Sequence, residues 1–191
     1  VLALLTVFSS SSCGLDIRPS NKPVRIPPGE TVDDTLVVAA ESVTVDGTVT
    51  GDLIAFVRQV TIRGAVKGNV ISFARQIDVE GTVEGSIIGF GQSLETRGQV
   101  GRNVYAFGQS ADIARGGRVG ENVAIFASES DIEGTIGKDA YARVGSMNLS
   151  ESARINGALT ARVNRAENVR IAPGAAIGRT DIRTARPARS R

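Results

Sequence analysis

The chain has 191 residues, a formal net charge of +2, no histidine, no tryptophan and a single cysteine. That length suits one folded domain with tails; a lone cysteine excludes an internal disulfide and a cysteine-clustered zinc site, and the missing histidine removes the commonest general base and metal ligand. The charge is uneven, because five arginines and one aspartate follow Gly178; the remainder is acidic, which excludes a basic nucleic-acid-binding domain.

Residues 1–13 read VLALLTVFSSSSC, an apolar run, then small polar residues, then Cys13. This resembles the end of a bacterial secretory signal peptide, with Ser11 and Ser12 before Cys13 as in a lipoprotein lipobox, and makes Cys13 the lipidation candidate. The run is too short to span a bilayer. The expectation is an exported chain anchored to the membrane in the cell envelope; the competing reading is an N-terminal stub with an incidental cysteine. Residues 14–33 hold Pro19, Pro23, Pro27 and Pro28 with mixed charge and no apolar period, and read as an extended, Pro-rich linker.

From Asp34 the sequence repeats. The unit GDLIAFVRQVTIRGAVK (51–67) returns as GNVISFARQIDVEGTVE (68–84) and GSIIGFGQSLETRGQVG (85–101), and five further copies extend the array over 34–178. Units longer than 17 residues take up their extra residues in turns, as stacked arrays tolerate.

Within a unit, apolar residues alternate with others over short runs, which is a strand period. Leu36, Leu53, Val70 and Ile87 begin one column, small residues such as Ala55, Ser72 and Gly89 stand two positions on, and two further columns run through Val45, Ile62 and Val79 and through Val49, Val66 and Val83. Each unit thus offers three short strands. Gly47, Gly64, Gly81, Gly98, Gly117 and Gly134 precede the last strand, where a positive φ would be cheap. At ~3.3 Å per residue, 17 residues make a loop of roughly 56 Å, or three sides of about 18 Å, and coils stacked at ~4.8 Å make a rod. The predicted fold is all-β: a right-handed three-sided parallel β-helix (solenoid) of about eight coils, followed by a basic disordered tail at 179–191.

The pattern G-[DN]-V-x-A followed by V-x-[VI]-x-G-x-V, as in GDLIAF…VTIRGAV and GNVISF…IDVEGTV, resembles the bactofilin family of polymer-forming bacterial cytoskeletal proteins. The resemblance covers 34–178. It implies a right-handed β-helix that assembles end to end into nucleotide-independent filaments, with the chain itself as its principal partner. Bactofilins are cytosolic, so the cytoplasmic face of the membrane is the alternative placement to export. No G-x-x-x-x-G-K-[ST] motif is present. Open strand edges at the two ends would serve assembly instead. The competing reading is a monomer capped by linker and tail, acting as an envelope-anchored binding module for a protein or polysaccharide.

Catalytic, cofactor and metal residues are expected to be none. Asp78, Asp112 and Asp131 sit singly between apolar neighbours along their strands and read as a solvated outer face. The candidate interaction face follows from parity. If Leu53 and Ala55 point inward, Ile54 and Phe56 point outward. The same parity exposes Ile71, Phe73, Ile88, Phe90, Tyr105, Phe107 and Phe126, an apolar surface large enough to mark an interaction site. Lateral pairing of rods, a membrane surface or envelope and cell-wall components are the candidate covers. Reversed parity, with the rings inside, is the competing reading.

Overall fold

The computed structural model describes residues 15–184, which form a parallel β-solenoid built from three stacked sheets. Up to residue 120 each coil contributes one strand to each sheet; beyond it Val123–Ile132, Ala140–Leu149 and Arg154–Val163 each run unbroken through a corner and serve two. The coil at 51–67 contributes Leu53–Phe56, Gln59–Ile62 and Ala65–Val66. These pair in parallel with Val70–Phe73, Gln76–Val79 and Thr82–Val83 of the next coil, at a register shift of one 17-residue unit. Every column seen in the sequence is therefore a physical column along the rod.

The interior is filled by the apolar columns. Leu53, Val60, Ile62 and Val66 are fully buried, as are Val70, Val79, Val83 and Ile87 in the coils above. Burying such side chains contributes about 1.5–3 kcal/mol each. Backbone groups close the ladder from coil to coil even between strands, as where Ala65 N–H donates to the Gly47 carbonyl at 2.9 Å and Thr82 N–H to that of Gly64 at 3.0 Å.

The glycines before the third strand owe their place to crowding. Among the described residues only Gly29 and Gly116 have positive φ, so the left-handed conformation open to Gly47, Gly64, Gly81, Gly98, Gly117 and Gly134 is not used. A Cβ on Gly64 would instead land on the carbonyl oxygen of Gly47, one on Gly81 on that of Gly64, and one on Gly98 on that of Gly81. Coils turn there so tightly that each backbone occupies the next residue's side-chain volume.

A second corner explains the Gly-[Asp/Asn] signature. Asp52 Oδ1 accepts the backbone N–H of Asn69 at 2.6 Å, Asn69 Oδ1 that of Ser86 at 3.0 Å, and Asn103 Oδ1 that of Asn122 at 3.1 Å. Asp139 Oδ1 extends the ladder to Ala158 N–H at 2.7 Å. A short side-chain acceptor one residue before each first strand satisfies the corner amide of the following coil, which would otherwise be unpaired.

Two boundaries differ from expectation. Residues 15–33, most of the expected linker at 14–33, are part of the solenoid, because Leu15–Pro19, Val24–Ile26 and Thr31–Val32 make a further coil paired to Thr35–Ala39, Ser42–Val45 and Thr48–Val49. Its prolines fit because, among the described residues, no earlier coil awaits their missing N–H groups. Its inward register is also disguised. Asp16 and Arg18 stand in line with the buried Leu36 and Val38, and Arg18 pairs with Asp16 at 2.9 Å and with Glu30 at 3.4 Å, laying a polar network across that end of the core. At the other end the strand Ala176–Thr184 pairs with Arg154–Val163, so residues 179–184 belong to the solenoid and not to a tail. The array thus has about ten turns where eight were expected. Residues 1–14, including Cys13, and 185–191 lie outside the described residues. No helix among the described residues is long and apolar enough to cross a membrane.

Candidate interaction face

The first sheet carries the face that parity placed outside. Leu53 and Ala55 are fully buried while Phe56 is half exposed, and the same alternation recurs at Val70, Ser72 and Phe73 and at Ile87, Gly89 and Phe90. The reversed parity does not occur. Gly89 shows why, since even a Cβ at this inward position would press on the side chains of Ile77 and Leu94.

In-register parallel pairing brings Phe56, Phe73, Phe90, Phe107 and Phe126 side by side in five consecutive coils. Their rings stack nearly parallel, with successive centroids 5.2, 4.9, 4.8 and 5.0 Å apart. The strand spacing and the preferred offset-stacked separation coincide, so the ladder needs no distortion of the sheet. Exposure falls from 50% at Phe56 to 36% at Phe90 and Phe126, and Phe107 is half-buried. The rings shield one another while keeping an edge in solvent.

Ile54, Ile71, Ile88 and Tyr105 run beside this ladder as a second column, each half-buried apart from the more exposed Tyr105. The column extends back to Val37 and Ile17, the latter 59% exposed, so the apolar face is two coils longer than the sequence suggested. Its far boundary is sharp. Ala124 leaves a gap beneath Tyr141, which tilts toward Phe126 with centroids 5.7 Å apart, and the phenylalanine column then continues as Arg143, Arg162 and Arg183. Arg162 lies over the Tyr141 ring at 5.8 Å, within cation–π range. The hydrogen bond from Arg183 holds the Asp181 carboxyl below its usual range.

The second sheet carries a different column. Asp78, Glu95 and Asp112 are register partners, and Asp112 Oδ1 accepts the backbone N–H of Asp131 at 2.9 Å. Carboxylates that stand alone along each strand are therefore stacked across coils, which the one-dimensional spacing hid. Gln76 Nε2 donates to the buried Asp78 at 2.9 Å. Burial raises the Asp112 pKa above its ordinary value, and Asp131, Glu95 and Glu129 add to the effect against the opposing backbone hydrogen bond from Asp131. No group of three or more His, Cys, Asp or Glu residues is placed to hold a metal ion among the described residues.

Comparison with known proteins returns no match: no family model, no curated protein and no solved structure matches the chain.

Proposed function

We propose that the chain is a non-enzymatic structural scaffold, a rod that self-associates without nucleotide and, in keeping with its bactofilin-like repeat, builds larger assemblies in the cell envelope. One observation carries this reading: an apolar face of in-register aromatic and aliphatic residues runs along one side of a frame whose own core is already filled. Closing the solenoid core needs Leu53 and Ala55 but not Phe56, so the outward ladder adds to stability from outside the core and leaves its ring edges for a partner. A second copy laid along the same sheet would remove five ring edges and the neighbouring isoleucines from water. End-to-end growth would add a second contact, and among the described residues the two outermost coils differ: one carries Pro19, Pro23, Pro27 and Pro28 with the Arg18–Asp16–Glu30 network, while the other presents the strand Ala176–Thr184. Prolines and charges blunt a strand edge, whereas an unbroken strand invites addition. Anchoring through Cys13 belongs to the same proposal.

Negative-stain microscopy with sedimentation velocity tests it. The full chain is expected to form paired or longer rods that dissociate when Phe73 and Phe90 are both replaced by serine. A monodisperse single rod at every concentration would overturn the scaffold reading. The second reading, a monomeric binding module, draws on the arginine column at the far end of the same sheet.

A further inference from the structure

A groove of about 530 Å³ opens beside the arginine column, lined by Arg143, Arg162 and Arg183 together with Gly145, Asn164 and Thr184. Its cause is visible in register. Two residues after the aromatic column, earlier coils carry Arg58, Arg75, Gln92 and Gln109, then Ser128, and then Gly145, so the side chains that occupy this corner dwindle to none before Asn164 restores one in the next coil. The groove wall is tied down by Asn168, whose Nδ2 donates to the Gly145 carbonyl at 2.8 Å.

The charges in the groove are unbalanced. Parallel pairing sets the three arginines one coil apart, at ~4.8 Å between backbones, and like charges directly opposite one another destabilise a sheet. Arg183 has a counter-charge, with Nε and Nη2 donating to Asp181 Oδ2 at 2.8 and 2.6 Å. Among the described residues Arg162 has an aromatic ring beneath it and no carboxylate within ion-pair distance, although the Asp181 charge acts on it through space, and Arg143 makes no hydrogen bond or ion pair. Arg143 and Arg162 are register partners one coil apart, and neither forms an ion pair with a carboxylate among the described residues.

We propose that this groove binds a ligand bearing a diphosphate group, clasped between Arg143 and Arg162 with Arg183 and Asn164 at its flank. Arg183 engages the Asp181 carboxylate through one oxygen, Oδ2, and a planar carboxylate presents its acceptors in a single plane. A tetrahedral phosphate directs acceptors to several sides and can bridge two forks stacked one coil apart; a second phosphate joined to it carries the charge on along the column. Bidentate, charge-assisted contacts of this kind are what arginine makes best. The site is open on one side, which admits a diphosphate attached to a larger body.

Isothermal titration of the full chain with inorganic pyrophosphate, at about physiological ionic strength so that surface charge is screened, tests this directly. Saturable 1:1 binding is expected, weakened at least ~10-fold when Arg143→Gln and Arg162→Gln are combined and at least ~10-fold weaker for succinate, as loss of a charge-assisted pair implies. Both arginines are exposed, so the double variant should unfold no earlier than the parent, which separates lost binding from lost fold. Failure to saturate, equal binding of succinate, or indifference to the double substitution would each overturn the proposal. Sedimentation with phosphatidylcholine vesicles, with and without farnesyl diphosphate, then separates the sources. Retention on the doped vesicles alone points to a membrane-borne diphosphate; pyrophosphate binding without retention points to a free one.

Discussion

Replacing Phe90 by alanine removes the middle ring of the ladder. Two stacks disappear, at 4.9 Å to Phe73 and 4.8 Å to Phe107, each contributing about 0.5–1.5 kcal/mol beyond area burial. The ring is 36% exposed, so roughly two thirds of a full burial worth about 2 kcal/mol is lost as well. The expected destabilisation is about 2–4 kcal/mol. Phe56→Ala, at the ladder's end, gives up one stack and a half-exposed ring, so about 1.5–2.5 kcal/mol is expected. Urea unfolding followed by circular dichroism, at concentrations where the chain is monomeric, measures both. A double-mutant cycle isolates the stack itself: Phe73 with Phe90 should couple by about 0.5–1.5 kcal/mol, whereas Phe56 with Phe107, three coils apart, should be additive within about 0.5 kcal/mol. Equal losses at Phe56 and Phe90 with no coupling between neighbours would refute the idea that the ladder stabilises the rod. The distinction also matters for assembly, because loss of association in ring variants must be compared with loss of fold.

Two further predictions concern the frame. Gly81→Ala should lower stability by roughly 3 kcal/mol or more, since the new Cβ lands on the Gly64 backbone and cannot be accommodated without a coil shift, while Gly116→Ala, at a positive φ with open space around it, should cost only about 1 kcal/mol; thermal unfolding of the two variants ranks them, and a reversed order would remove the crowding argument. Asp112→Asn should raise the unfolding temperature at neutral pH. Its folded pKa is raised, so the charged form penalises the fold above that pKa, and the penalty fades as pH falls through it toward the unfolded value. The advantage of asparagine should therefore shrink on acidification, and a gain that is independent of pH would argue against electrostatic strain in the Glu95–Asp112–Asp131 column.

The sequence by itself determined the solenoid. A 17-residue period with three apolar columns leaves stacked coils as the natural way to bury those columns continuously, and strand parity was enough to turn Ile54 and Phe56 outward once Leu53 and Ala55 were taken as core. The Asp52 and Asn69 positions were equally visible as a motif, yet their purpose was not, because a side chain that satisfies an amide 17 residues away leaves no local trace. The first coil is hidden in the sequence for a related reason: its inward positions hold Asp16 and Arg18, a polar pair that breaks the apolar column. What the tertiary structure alone decided is everything that depends on register between coils. Pairing at a fixed offset converted five separate phenylalanines into one stacked ladder, carboxylates that are solitary along their strands into a repelling column, and three widely spaced arginines into the wall of a groove. A strand period says which way a side chain points; only the stacking of coils says what it meets.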